Sequence, residues 1–385
     1  MDSVFSRMHS RLQTSVKEET VEKIWFLCLL ALIVPVYLGH FRLAVFTQYA
    51  IYAASACAYL LLIFKIFFWD GYDRKTLWLL GGCLMLLAVG TAVSGNRCFL
   101  SSFLLACSAK KIRFDKLSRF FFCFFLATYL LNLALVALGL AEDVVTIRGE
   151  AWGQGNLRHS YGFGHPNTLG FWGMLLVFSG LLACPRDKRR VPFSLALLVL
   201  SIVLFRQTDS KAAFFSSVAA IFLYNLALLW KPKALGSRAT WLFPGLMLLC
   251  VCVFLLLCLL YREDIALFRL CNTVFSQRLV YANQGFRLFG VSLFGAHVDF
   301  GWDPVDSLLG YAPICLGMLP CLVYLGLALV GVARSARYGR WDILAVAFAG
   351  LLYCTMEYGL INPINLPLFA VTASLSEGNL QKPSV

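Results

Sequence analysis

Long apolar runs, each closed by a short polar segment, recur from residue 24 to residue 358 of this chain. They run Ile24 to Gly39, Ala44 to Phe64, Leu77 to Val93, Cys98 to Ala109, Phe120 to Ala141 and Asn167 to Cys184. Phe193 to Phe205, Ala212 to Trp230, Trp241 to Tyr261, Ser307 to Ala333 and Ile343 to Tyr358 follow. Most approach the ~20 residues that a helix needs to cross a bilayer. The pattern predicts an all-α polytopic membrane protein with about eleven (10–12) transmembrane helices. They form a single integral-membrane domain over 1–385. Cys98 to Ala109 is short, and Leu366 to Leu375 is briefer still, reading as a re-entrant segment or a stunted last helix.

The connections fall into two classes that alternate along the chain. "KIFFWDGYDRK", "KKIRFDKLSR", "PRDKRR", "KPKALGSR" and "RSARYGR" are all basic and lie close to helix ends. Cytoplasmic loops carry that bias, so these segments and the N-terminus are expected inside, in the cytoplasmic membrane. Residues 1–23 then form a cytoplasmic leader whose Arg7, Arg11, Lys17 and Lys23 face anionic lipid.

The opposite side holds two long loops, 142–166 and 262–306. They carry Arg148, Arg158, Arg262, Arg269, Arg278 and Arg287, and the turn "FRQTDSKAAF" adds Arg206 and Lys211. Positive charge there opposes the topological bias, and nearly all of it is arginine, whose planar fork suits phosphate or carboxylate. The outer face is expected to hold an anion. In the second loop, "TVFSQRLVYANQGFRLFG" interleaves apolar and polar residues at helical spacing, predicting one interfacial helix.

Composition agrees: 60% of residues are hydrophobic and only 14% charged. The net charge of +13 sits mainly in the inner loops, where it anchors the protein to membrane lipid, so no nucleic-acid partner is expected. The fourteen cysteines lie mostly in apolar runs, where a thiol acts as a small hydrophobe, and no disulfide framework is expected. No His/Cys cluster or EF-hand pattern occurs, and the chemistry is expected to need neither metal nor cofactor.

Four stretches carry a resemblance. "YGFGHPNTLG", "TDSKAAF", "SQRLVYANQGFRLFGVSLFG" and "VDSLLGYAPICLGMLP" follow one another between Tyr161 and Leu319. In that order they resemble motifs of the O-antigen ligase and polymerase superfamily, especially Wzy-type capsular and exopolysaccharide polymerases. Two departures stand out: Lys211 replaces the usual arginine, and Asp306 stands where ligases have histidine. The second favours the polymerase branch. The resemblance implies a glycosyltransferase that moves glycan from a polyprenyl (undecaprenyl) diphosphate donor to an acceptor sugar hydroxyl outside the cell. Its implied partners are that lipid-linked oligosaccharide and other membrane proteins of polysaccharide assembly.

Such chemistry needs cations for the departing diphosphate and a group that takes the hydroxyl proton. Arg278, Lys211, Arg158, His165, Asn167 and Arg206 are the candidates for binding diphosphate or sugar. Arg278 leads because it flanks the interfacial helix, with an arginine snorkelling among headgroups as the lesser alternative, and Lys211 is second, with a terminal lysine that reaches water as its alternative. Gly162, Gly164 and Pro166 read as turn geometry, with Asn167 as a helix cap. That account leaves Arg158, His159 and His165 without a structural reason. Asp306 leads as base, followed by His297 and Glu357; Asp306 could instead be an N-cap. A ligase that joins finished chains to another acceptor, and a transporter or flippase, remain the competing readings. A transporter is expected to show paired halves and mid-membrane ionisable groups.

Overall fold

The computed structural model describes residues 17–40, 48–148, 156–184, 189–230, 239–298 and 305–362. The leader up to residue 16, Lys188, Asp303 and the run Leu366 to Leu375 lie outside the described residues.

The described residues are mostly helical. Its helices are α1 Glu18–His40, α2 Gln48–Phe64, α3 Arg74–Ser94, α4 Cys98–Ser108, α5 Phe114–Ala137 and α6 Pro166–Ala183. Then come α7 Arg190–Thr208, α8 Lys211–Trp230, α9 Leu242–Leu259, α10 Ala266–Val274 and α11 Arg278–Phe289. The last are α12 Leu308–Tyr311, α13 Met318–Arg337 and α14 Trp341–Cys354. Eight of these are long and apolar enough to cross a membrane, and α4, α8 and α14 contribute shorter apolar stretches among the described residues.

Helix α6 is the axis of the fold. It is apolar all round, and 83% of its span is buried, as befits a helix enclosed by others. Trp172 and Phe178 are fully covered, and α5, α7 and α8 pack around them. Two glycines set the close approach. A Cβ on Gly170 would lie 2.5 Å from that of Ser210, and one on Gly173 would lie 2.4 Å from Leu204 Cδ1. Small residues at such crossings let helices meet where apolar burial alone drives no association.

At one end of the bundle two of the basic segments, 110–119 and 334–340, meet neighbouring helices: Lys116 Nζ lies 2.6 Å from Glu22, and the Arg340 guanidinium lies 4.5 Å over the Phe114 ring. There Lys65 pairs with Asp70 and also donates to the carbonyls of Ser108 and Lys110. Described residues of the two long loops, Arg158, His165 and Asp306 among them, meet elsewhere around one cavity.

Three departures from the sequence pattern shape that region. The first long loop contains a short antiparallel hairpin, β1 Thr146–Arg148 with β2 Asn156–Arg158, in which Thr146 faces Arg158. The single interfacial helix is two helices, α10 and α11, because Ser276 and Gln277 turn left-handed at φ 51° and 71°. The run from Ser307 is also broken: α12 leads into a π turn, Ala312–Leu316, and α13 starts only after Gly317 at φ 95°.

That second break has a partner. Met318 N–H donates to Ser292 C=O (2.8 Å), Leu319 N–H to Leu293 C=O (3.0 Å) and Ala296 N–H to Cys315 C=O (3.1 Å). Backbone freed from a helix at this depth must be paired by neighbouring protein, and segment 292–296 does so. A Cβ on Gly317 would sit 2.3 Å from the backbone nitrogen of Gly295. Gly317→Ala is therefore expected to cost at least ~2 kcal/mol, through left-handed strain and the clash. Thermal unfolding in detergent reads this as a clear drop in Tm, and an unchanged Tm would contradict the packing.

Candidate active site

The stretch from Arg158 to Trp172 is where a hairpin, a turn and the central helix meet. His165, in extended geometry, caps α6: its Nδ1 accepts from the Asn167 N–H at 3.1 Å, and Pro166 occupies the first turn. Asn167 is thus not the cap that the sequence suggested. With the cap supplied by His165, the Asn167 side chain is free to turn toward charged neighbours.

Those neighbours form a continuous polar network. Arg158, 8% exposed, donates from Nε to the Thr208 carbonyl at 2.7 Å and from Nη2 to Asn167 Oδ1. Asn167 Nδ2 donates to Glu357 Oε1 at 3.2 Å. Arg278 Nη2 reaches the same carboxylate oxygen at 3.0 Å, while Nη1 lies 2.6 Å from Asp306 Oδ2. Its Nε donates to the Met356 carbonyl at 2.8 Å. Five residues far apart in the chain therefore share one chain of charge-assisted hydrogen bonds.

Local structure aims each member. Arg278 opens α11, and the left-handed break before it is tied by Asn272, which is 4% exposed. Asn272 Oδ1 accepts from the Val280 N–H, its Nδ2 donates to Gln277 Oε1, and its carbonyl accepts from the Gln277 N–H. Sequence reading missed Asn272; its only signal was an amide inside an otherwise apolar helix face. Asp306 is not an N-cap, because Ser307 fills that role by accepting from the Gly310 N–H at 3.2 Å. The Asp306 carboxylate is thereby left to Arg278.

The network borders a cavity of about 520 Å³ whose wall includes Arg158, His165, Asn167, Asp306, Glu357 and Tyr358. Arg278 is not part of that wall; it holds the two carboxylates from the side. Burial pushes the Glu357 carboxyl up to about 7, helped by the nearby Asp306 charge and opposed by Arg278 and Arg158. Burial raises Asp306 as well, against the pull of Arg278. Glu357 is thus poised to take or give a proton near neutrality, as a catalytic acid or base requires.

The other candidates lie elsewhere. Lys211 begins α8 exposed, and Arg206 is exposed near the end of α7; neither lines the cavity. His297 lines a second cavity with Arg97. His159, for which the sequence offered no structural reason, bonds through Nδ1 to Asp143 Oδ2 at 2.6 Å and stacks on Tyr161. Burial pushes the Asp143 carboxyl up, but His159 and the N–H groups of Tyr161 and Ser160 outweigh it and hold it low. Asp143 thereby fastens the turn that follows Arg158. No group of three or more His, Cys, Asp or Glu residues able to hold a metal occurs among the described residues. Compared with family models, curated proteins and solved structures, the chain matches none of them.

Proposed function

We propose that the chain is a membrane glycosyltransferase, a polysaccharide polymerase using a polyprenyl diphosphate-linked glycan as donor. The observation that carries this reading is the Arg278, Asp306 and Glu357 cluster beside a cavity that also presents Arg158 and His165. It supplies both requirements of the transfer: cationic groups for a leaving diphosphate, and a carboxylate with a proton affinity near neutrality.

In the proposed step, the acceptor hydroxyl oxygen bonds to the donor's anomeric carbon. The bond from that carbon to the diphosphate oxygen breaks, and its electron pair leaves with the diphosphate. Glu357 takes the hydroxyl proton. Arg158, held by Thr208 and Asn167, meets the charge that builds on the leaving group. Arg278 keeps Glu357 and Asp306 in place rather than serving as the first contact for phosphate. The resemblance of four motifs, with Asp306 in place of the ligase histidine, supports polymerisation over ligation.

This reading places the cavity outside and the N-terminus in the cytoplasm, following the basic loops. Single cysteines at positions 158 and 278, in a background cleared of reactive thiols, are expected to be shielded from cytoplasmic reagents. The cysteine at position 158, in the cavity wall, should label from outside once the membrane-impermeant probe is small enough to enter. A cysteine at position 337 should label only after permeabilisation, and labelling of 337 in intact cells would reverse the orientation. The functional test is polymer itself: cells carrying Glu357→Gln should accumulate single repeat units on the lipid carrier.

A further inference from the structure

A second polar cavity of about 340 Å³ lies against the first, with Asn96, Arg97, Cys98, His297, Tyr311 and Cys315 in its wall. The two share a partition. Tyr311 lines the second and Tyr358 the first, and their rings stack with centroids 5.4 Å apart. Cys98 of the second cavity also donates its S–H to Asn362 of the first at 3.6 Å.

The two cavities differ in charge. The first sets Arg158 against Asp306 and Glu357, whereas the second has no Asp or Glu among its described lining residues. Its cation is Arg97, with the His297 imidazole opposite in sequence and brought alongside by the fold. The Arg97 guanidinium lies 4.9 Å over the Tyr52 ring and contacts no carboxylate among the described residues. Helix α4 begins at the next residue, so its N-terminal end adds partial positive charge on the same side.

The cavity is also prebuilt. Segment 292–296, which leads into His297, is bonded through its backbone to the broken helix at Cys315, Met318 and Leu319. The opposite side is held by Asn96, whose Oδ1 accepts from the Cys98 N–H at 2.9 Å. A partly enclosed guanidinium that meets no carboxylate among the described residues, in a fixed concave wall, is a charge that an anion would complete.

We propose that this second cavity is an anion-binding subsite for the acceptor, taking the phosphate or carboxylate group of a second saccharide. Its assignment to an acceptor rests on the glycosyl-transfer reading; its capacity to bind an anion does not. A transfer between two glycans needs two seats beside one proton acceptor, and the Tyr311 and Tyr358 partition sets the second seat next to Asp306 and Glu357.

The test is titration calorimetry at low salt on the purified protein in lipid nanodiscs, with inorganic pyrophosphate in one arm and glucuronate in the other. Arg97→Gln is expected to weaken binding of at least one probe about tenfold or more, as loss of a charge-assisted contact does. Arg97→Lys should retain binding within a few-fold, and Arg158→Gln, in the first cavity, should leave the Arg97-dependent component in place. Selective loss of pyrophosphate binding assigns the anion to a lipid diphosphate, and selective loss of glucuronate binding assigns it to a sugar carboxylate. If Arg97→Gln binds both probes as the unaltered protein does, or if neither probe binds that protein, the proposal is overturned. Should Arg97→Gln fail to accumulate, His297→Gln carries the test, with a threefold or greater weakening expected and unchanged binding overturning the subsite. These readouts need no polymer, so anion binding through Arg97 in a chain that makes none would spare the subsite and sink the polymerase reading.

Discussion

Glu357→Gln stops chain growth while the protein still accumulates in the membrane: this is the largest effect expected of any single change. Glutamine preserves the shape and can still accept from Asn167 and Arg278, so the network that holds α6, α11 and the end of α14 keeps its contacts. What disappears is basicity. Loss of a general base typically lowers a rate by about 10²–10⁴-fold. The pH profile gives the sharper criterion. In the proposed step the active form is the ionised carboxylate, so transfer by the unaltered protein should rise with pH through about 7 and then level off. The residual rate of Glu357→Gln should show no such rise. Asp306→Asn should act differently, because Ser307 rather than Asp306 caps the following helix and the fold should persist. Removing the Asp306 charge relieves one influence that raises Glu357, so the rise should move to lower pH with a smaller loss of rate. If Asp306→Asn abolishes polymer and Glu357→Gln does not, the proton acceptor is Asp306.

Arg278→Gln is expected to damage both stability and activity. Its guanidinium holds two carboxylates at 2.6 and 3.0 Å, and all three side chains are largely enclosed, at 14–22% exposure. Removing one partner from such a cluster leaves like charges facing each other, a loss of about 3 kcal/mol. The pH dependence fixes the cause. Glu357 binds its proton more tightly when folded than its ordinary value of 4.5, so its contribution to stability is present below that value. It is lost as pH rises through about 7. Without Arg278 the folded-state value rises further, so the deficit in Tm should widen between pH 5 and pH 8. A deficit equal at both pH values would assign the loss to packing. The rise in activity, where measurable, should shift to higher pH.

The two predictions together separate roles that sequence spacing could not. Arg278 looked like the phosphate ligand because it stood in an outer loop within a motif. Its guanidinium, however, is committed to Asp306, Glu357 and the Met356 carbonyl, and the cavity wall presents Arg158 instead. Arg158 was visible in the sequence only as a residue without a structural reason. Asp306 and Glu357 were both recognised as candidate bases, but their coupling through one arginine was not visible.

What the sequence alone determined is set by one-dimensional physics. Runs of hydrocarbon must be helical in a bilayer, since backbone polar groups find no other partners there. That requirement located most of the helices between Ile24 and Tyr358, although the helices beginning at Glu18 and Phe114 start well before their apolar runs and the run from Ser307 is broken. Tertiary structure decided everything that depends on a second segment. The interfacial helix breaks at Ser276 and Gln277 because Asn272 ties the turn, and the helix after Asp306 breaks at Gly317 because segment 292–296 pairs its freed backbone. His165 displaced Asn167 as the cap of α6, which released the amide to join Arg158 to Glu357. The proton affinity of Glu357 likewise comes from burial and from the charges of Arg278, Asp306 and Arg158, which only the fold brings near it. Hydrophobic periodicity is a property of neighbours in the chain, whereas hydrogen bonds and charge pairs between distant segments exist only once helix packing has brought them within bonding distance.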